Sequence, residues 1–254
     1  MTLLPRHYLY RAIDILFSPR LAMWRREGVI LGLYQDLDRP WLIGLGVKTV
    51  LDIGANIGRF AITARKLFPE AHIYAFEPLP DCLEQAVQVM RGDTHFTPMN
   101  VALGLEQGEA TFQRNAASPS SSFLQVSRAH VSAFPGTGET TSVRVAVDSL
   151  DRVAAALNFE MPILVKIDVQ GFEEQVLRGG EATIRRSSVL LVETSFETMY
   201  EGQALFDGIY TLLRAWGFEF KGNLDQAHDP ANGRLLQADS LFVRSELAGD
   251  PQSP

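Results

Sequence analysis

The sequence predicts an α/β fold with a mostly parallel seven-stranded sheet, helices on both faces and an antiparallel hairpin strand at the C-terminal end. Three observations carry that expectation. From Val47 onward, short β-rich runs alternate with helical periodicity, the rhythm of parallel strands joined by crossover helices. The first run, Thr49 to Ile53, opens into a glycine-containing turn, Gly54-Ala55-Asn56-Ile57-Gly58, with a helical stripe directly behind it. The chain closes with one helix and then two neighbouring strands, an order that suggests an antiparallel pair at the sheet edge.

The elements follow in order. After Thr49–Ile53, residues Phe60, Ala61, Ala64, Leu67 and Phe68 recur at helical spacing. His72–Phe76 is the second strand, stopped by Glu77-Pro78. Asp81 and Glu84 have the spacing of a capping box, and Leu83, Val87 and Met90 form the expected buried face of that helix. Phe96–Leu103 reads as the third strand. The stretch 104–147 then breaks the rhythm: β-like runs at Ala110–Gln113 and Ser142–Val147 flank a Ser-, Pro- and Gly-rich segment. Insertions of this kind serve as binding lids or as surface loops, and both readings stay open.

The rhythm resumes with a short helix at Leu150–Leu157 and a strand, Ile163–Asp168, that ends on a carboxylate. Glu173–Ile184 is helical, with Gly179 and Gly180 placed to divide it. Ser188–Glu193 is a strand, again ending on an acid. Leu205, Phe206, Ile209, Leu212, Leu213 and Trp216 make a helical stripe closed by Gly217. Phe218–Lys221 and Ser240–Arg244 are the final strands. The expected organisation is a helical extension at 1–46, an α/β domain at 47–246 carrying the 104–147 insertion, and a frayed tail at 247–254.

Composition narrows the class. A hydrophobic fraction of 46% and a charged fraction of 21% over 254 residues describe an ordinary folded chain able to bury its own core. The one cysteine, Cys82, excludes an intrachain disulfide and fits a reducing, cytoplasmic setting. A net charge of -7 argues against a nucleic-acid partner. The first 30 residues run the other way, with Arg6, Arg11, Arg20, Arg25 and Arg26 against Asp14 and Glu27. That segment is expected to pack as an amphipathic helix; contact with an anionic membrane surface is the competing reading. The histidines, at 7, 72, 95, 130 and 228, show no metal-ligand spacing, so no metal site is expected, although His130 in the insertion could face a substrate. Trp24 and Trp41 either cover a ligand or pack the N-terminal segment on the core.

The chemistry gathers at strand ends, where open α/β sheets bind their ligands. Gly54 and Gly58 allow a tight turn and close backbone approach. Asp52 beside the turn disfavours an anionic pyrophosphate and favours a ligand bearing a positive charge, such as S-adenosylmethionine. Asn56 offers both a donor and an acceptor. Glu77 closes the second strand where a ribose-binding acid is expected, because one carboxylate can accept from both hydroxyls of a diol.

Several strings then carry a resemblance. Val50-Leu51-Asp52-Ile53-Gly54-Ala55-Asn56-Ile57-Gly58, Asn100-Val101-Ala102-Leu103-Gly104, Asp148-Ser149-Leu150-Asp151 and Val165-Lys166-Ile167-Asp168-Val169-Gln170-Gly171-Phe172-Glu173 together resemble the FkbM family of methyltransferases. Tyr200-Glu201-Gly202-Gln203-Ala204-Leu205-Phe206 and Leu236-Gln237-Ala238-Asp239 continue the match. The resemblance implies a Rossmann-like class I methyltransferase fold and methyl transfer from S-adenosyl-L-methionine, usually to oxygen, on sugars of cell-surface polysaccharides and glycolipids or on natural products. It implies cofactor contacts from Asp52, Gly54, Ala55, Asn56, Gly58, Glu77 and Pro78, and a border to the adenine from Asn100, Val101 and Ala102. Asp168 falls near the methyl group and is the candidate base, with Glu173 second and Lys166 beside them. Gln170 departs from the family's usual Glu, which puts a metal or base role there in doubt. A nicotinamide-dependent oxidoreductase and a cofactor-binding module without catalysis are the alternatives. The acceptor and the oligomeric state are not legible.

Overall fold

The computed structural model describes residues 18–115 and 120–248. Three helices lead in: α1 (Pro19–Arg26), α2 (Leu31–Leu37) and α3 (Pro40–Ile43). The α/β body follows as β1 (Thr49–Ile53), α4 (Arg59–Leu67), β2 (His72–Phe76), α5 (Pro80–Val89), β3 (Phe96–Met99), β4 (Ala102–Gly104), β5 (Gly108–Asn115), α6 (Arg128–Ala133) and β6 (Thr140–Ser149). It continues with α7 (Leu150–Ala154), β7 (Ile163–Ile167), α8 (Glu173–Gly179), α9 (Glu181–Arg186), β8 (Val189–Ser195), α10 (Phe206–Ala215), β9 (Phe218–His228), β10 (Leu235–Arg244) and α11 (Ser245–Ala248).

The main sheet has seven strands in the order β3-β2-β1-β7-β8-β10-β9. The first five pair in parallel, and β10 joins antiparallel between β8 and β9. This is the Rossmann-like methyltransferase sheet, and the hairpin at its end is the feature the closing strands announced. The central strands β1 and β7 are buried along their whole length, as strands covered on both faces must be. Alternation sorts their side chains. Leu51, Ile53, Ile163, Val165, Ile167, Leu190 and Val192 face the core shared with α8, α9 and α10. Val50, Leu164, Val189, Leu191 and Leu241 face the core shared with α2 and α4.

Three sequence expectations need correction. The run 96–103 is two strands, because the chain leaves the main sheet after Met99, where the Asn100 amide is tied to the carbonyls of Glu77 (2.9 Å) and Pro78 (3.0 Å). β4 then pairs in parallel with β6, which pairs antiparallel with β5, so the insertion contains a small sheet of its own. The capping box is absent: Pro80 starts α5, Leu79 is the N-cap, and Asp81 lies inside the first turn. Val87 is exposed, whereas Leu83 and Met90 are buried as expected, with Cys82 and Ala86 completing that face.

The two Trp side chains part company. Trp24 is buried edge-on against Tyr34, with Arg20 over its ring, whereas Trp41 is exposed. Arg20, Arg25 and Arg26 belong to α1; Arg6, Arg11, Asp14, His7 and the tail beyond 248 lie outside the described residues. Among the described residues, no helix is long and apolar enough to cross a membrane.

Gly179 and Gly180 do divide the helical run, and they also let it approach the insertion. A Cβ on Gly179 would lie 1.9 Å from the carbonyl oxygen of Gly104 in β4. Gly208, by contrast, sits in α10 with only the Ala204 methyl at 3.9 Å. Gly179→Ala should therefore destabilise the fold by ~2 kcal/mol through forced separation of α8 from β4. Gly208→Ala should be neutral or stabilising by up to ~1 kcal/mol. Thermal melts of the two variants side by side check this, with a drop of about 5 °C expected for the first.

Candidate active site

The cofactor-type loop is built as its glycines suggest. Gly54 (φ 80°) and Gly58 (φ 81°) are left-handed, and each is also sterically confined. A Cβ at 54 would be 1.9 Å from the Asp168 carbonyl oxygen, and one at 58 would be 2.9 Å from Cα of Ala86. Asn56 shares the left-handed region (φ 47°), which asparagine tolerates better than most residues. The backbone N–H groups of Gly54 and Ala55 both donate to the Phe76 carbonyl, fastening the loop to the end of β2. Glu77 completes the brace, accepting from Asn56 N through Oε2 and from Leu79 N through Oε1, both at 2.9 Å.

A cleft of about 780 Å³ opens over this loop, within the usual range for ligand sites. Glu77, Leu79, Val101, Ala102, Phe112 and Phe123 line one end, a carboxylate set among apolar surfaces. Lys166, Asp168, Gln170, Asp225 and Asp239 line the other. Phe123 packs edge-on against Phe112 and tilts against Phe172, so the 104–147 insertion contributes a wall of the cleft.

The charged end follows from sheet register. On the face toward α4, each of four adjacent strands replaces an aliphatic residue with an ionisable one two positions on: Val50 by Asp52, Leu164 by Lys166, Leu191 by Glu193, and Leu241, on the reversed strand, by Asp239. Asp52 pairs in register with Lys166, and Glu193 with Asp239. Lys166 Nζ lies 3.3 Å from Asp168 Oδ2 and 3.7 Å from Asp52 Oδ1, and donates to the Gly54 carbonyl at 3.1 Å. Asp52 is fully buried, and among the described residues its carboxylate is met by the Lys166 ammonium rather than by a close hydrogen bond. It does not line the cleft, so Lys166 stands between it and any ligand.

Gln170 organises the acids on the other side. Its amide nitrogen donates to Asp168 Oδ1 (2.7 Å) and to Glu193 Oε2 (2.9 Å), while its amide oxygen accepts from the Tyr200 hydroxyl (2.6 Å). The backbone there is left-handed (φ 57°), and the Gln170 carbonyl accepts from Ser122 Oγ at 2.6 Å. Gln237 adds a second amide donor to Glu193 Oε2 at 3.0 Å. A carboxylate at 170 would face two others with no donor between them, so the amide suits the geometry present.

The sequence-predicted residues thus divide. Gly54, Ala55, Asn56, Glu77, Pro78, Val101, Ala102, Lys166 and Asp168 line the cleft. Asp52, Gly58 and Asn100 support it from behind. Glu173 is buried with Oε1 accepting from Val169 N (3.1 Å) and Gly171 N (3.0 Å), which makes it a brace for the 169–171 turn. His130 is buried against Phe134 and Tyr200 and does not line the cleft. Sequence reading missed Arg59, Asp225 and Asp239 as cleft residues. Asp239 appeared in the resemblance string Leu236–Asp239, just before the expected strand Ser240–Arg244, and its place in β10 at the level of Glu193 required the antiparallel register. Among the described residues, no group of three or more His, Cys, Asp or Glu is placed to hold a metal ion.

Sheet order, loop and cleft together define a methyltransferase, and comparison with known proteins agrees. The model of the methyltransferase FkbM domain matches residues 52–220, and the chain belongs to that family. It is 26% identical over 218 residues to the 2-O-methyltransferase NoeI of Sinorhizobium fredii, covering 76% of this chain and 89% of that protein. It is also 26% identical over 161 residues to the hexuronic acid methyltransferase AglP of Haloferax volcanii, covering 63% of this chain and 61% of that one. Among solved structures it is similar to an FkbM methyltransferase from Methylobacillus flagellatus KT, with a TM-score of 0.48 and 14% identity. The match covers 83% of this chain and 49% of that chain, so the present chain spans about half its length.

Burial sets the protonation of the site. It pushes Asp52 up to about 6, opposed by Lys166, and Glu77 up to about 7 against its two backbone donors. Glu173 and Asp239 are each pushed up to about 7, again chiefly by burial, and Glu193 is raised well above the usual range. Burial works to lower the Lys166 ammonium, but Asp168, Asp52 and Asp239 hold it above its ordinary value. Carboxylates raised in the folded state stabilise it fully at pH below their unfolded values, and that contribution is lost as pH rises through 6 to 7. The ligand-free protein should therefore melt higher at pH 5.5 than at pH 7.5, by about 5 °C or more. Scanning calorimetry across that window tests it; a melting point that rises with pH would contradict the assignment.

Proposed function

We propose that this chain is an S-adenosylmethionine-dependent O-methyltransferase acting on a sugar hydroxyl, in a cell-surface polysaccharide or glycolipid or in a natural product. The observation that carries the reading is the Asp168 carboxylate: it faces the cleft at the end of β7, one oxygen on the Lys166 ammonium and the other on the Gln170 amide. Family membership, a relative named as a 2-O-methyltransferase and another named as a hexuronic acid methyltransferase support the same reaction class. The one cysteine, Cys82, is buried and can form no intrachain disulfide, which suits the cytoplasm.

The donor set of the cleft fits the cofactor. Glu77 has spent one lone pair per oxygen on the backbone, which leaves its outer lone pairs for a ribose diol. Leu79, Val101 and Phe112 offer apolar surface for a purine. Buried Asp52 and the Lys166 network supply the electrostatics for an amino-acid moiety, and Arg59, at the mouth of the cleft, is a cation suited to its carboxylate. When bound, S-adenosylmethionine supplies a methyl group already activated by a sulfonium.

What remains for the protein is to place an acceptor oxygen in line and accept its proton. Asp168 is the group positioned to take that proton and pass it to solvent at the cleft mouth. Lys166 and Gln170 hold both of its oxygens, so the carboxylate keeps one orientation. Glu173 acts through the 169–171 turn, positioning Gln170 rather than touching substrate.

Asp168→Asn should lower kcat by about 100-fold or more, the range for loss of a general base, while melting temperature and cofactor affinity stay within twofold of wild type. Steady-state release of S-adenosylhomocysteine checks it, and wild-type turnover would remove Asp168 from the mechanism. Glu77→Gln keeps the shape of the brace but weakens the diol acceptor, and should raise the cofactor Kd by about tenfold, ~1.4 kcal/mol. Isothermal titration reads this directly; an unchanged Kd would contradict the ribose assignment.

A further inference from the structure

The charged end of the cleft gathers more carboxyl groups than the Lys166 ammonium, which stands among Asp52, Asp168 and Asp239, can pair. Asp168, Glu193 and Asp239 occupy one level on three adjacent strands, since Asp168 follows the Ile167↔Val192 pair and Asp239 pairs with Glu193. Asp225 on β9 lies beside them, where the β9–β10 register shifts between Ala238 and Ser240. Glu193 accepts through Oε2 from the amides of Gln170 and Gln237 and does not line the cleft. Lys166 is already shared among Asp168, Asp52 and the Gly54 carbonyl. Arg114 is paired with Asp81 at the other end of the cleft, and Arg59 is exposed with its Nε toward the Gly28 carbonyl.

Asp239 differs from its neighbours. Its side chain faces the cleft, and among the described residues its carboxylate accepts no hydrogen bond. It lies across β8 from Asp168 and away from the Glu77 end, on the side left for an acceptor. Its partner Asp225 has one oxygen on its own neighbour, Gln226 N, at 3.0 Å, and is otherwise exposed to the same cleft. Two carboxylates with vacant lone pairs recognise O–H and N–H donors. Burial pushes Asp239 up to about 7, so above that pH it is ionised and, with the exposed Asp225, repels a carboxylate brought beside it, a form of discrimination built from like charge.

Resting on the sugar O-methyltransferase reading above, we propose that Asp239, backed by Asp225, selects the acceptor: it accepts a hydrogen bond from a neutral or amino sugar next to the reacting hydroxyl and rejects a uronic acid there. Asp239 is a specificity residue in this account, and Asp168 alone takes the proton. The hexuronic acid methyltransferase among the relatives would then differ from this chain in acceptor charge.

The test uses the full chain at pH 8.5, where Asp239 is ionised, with S-adenosylmethionine and 4-nitrophenyl glycosides of neutral hexoses, amino hexoses and hexuronates, following S-adenosylhomocysteine release. Wild type should favour the neutral and amino acceptors over the uronates by about tenfold or more in kcat/KM. Asp239→Asn should reduce that preference to within about threefold, chiefly by raising KM for the favoured acceptors, with cofactor Kd within twofold of wild type. Asp239→Ala, with melting temperature recorded for both variants, separates loss of charge from loss of fold. Acceptor binding in the presence of S-adenosylhomocysteine, read by calorimetry, should show the same order without turnover. Uronates used as well as neutral sugars, a preference untouched by Asp239→Asn, or a collapse of cofactor affinity in that variant would each overturn the proposal and leave methyl transfer standing. Cofactor binding with no glycoside methylated would overturn the sugar O-methyltransferase reading, and this inference with it.

Discussion

The site depends on the pleat of the central sheet. Side chains alternate faces along a strand, so a residue's core or cleft position is fixed by parity and by strand register. On the α4 side, β1, β7, β8 and β10 bury Val50, Leu164, Leu191 and Leu241, then carry Asp52, Lys166, Glu193 and Asp239 toward the cleft. A one-residue slip in any of these strands would bury an ionised group in aliphatic surroundings and turn an aliphatic one to the ligand. The hydrophobic core and the charged site are therefore specified by the same register.

That arrangement places several acids in poorly solvated positions, and the neighbouring groups offset the cost. Lys166 supplies the ammonium among Asp52, Asp168 and Asp239, held over the ring of Phe60. Gln170 and Gln237 supply neutral donors to the rest. A buried ion pair adds little net stability once desolvation is counted, so the network is better understood as orienting Asp168 than as holding the fold together. The strained conformation of Gln170 is consistent with that role, because its backbone is fixed by Gly171, Glu173 and Ser122 around it.

Much of the fold was legible because it rests on local patterns. The β-rich runs of β1 and β7 and the amphipathic stripes of α4 and α10 each announce themselves within a dozen residues, and the closing hairpin follows from two β-rich runs in succession. The errors fell where a distant contact wins. The run 96–103 has strand character throughout, yet Asn100 bonds to Glu77 and Pro78 and turns the chain into a second sheet. Val87 fits the helical stripe but lies exposed on α5.

The sequence alone determined the fold class, the family resemblance, the glycine loop, Glu77 and the acids Asp168 and Glu193, because these depend on residue type at short spacing. Only the tertiary structure decided what each does. It placed Asp52 behind Lys166, made Glu173 a brace, set Gln170 between two carboxylates, and brought Asp225 and Asp239 to the cleft from a hairpin more than 50 residues beyond Asp168 in sequence. The physical reason is that a side chain's chemistry is set by desolvation and by the charges within a few ångströms of it. Those neighbours come from strand order and register, which no local stretch of sequence contains.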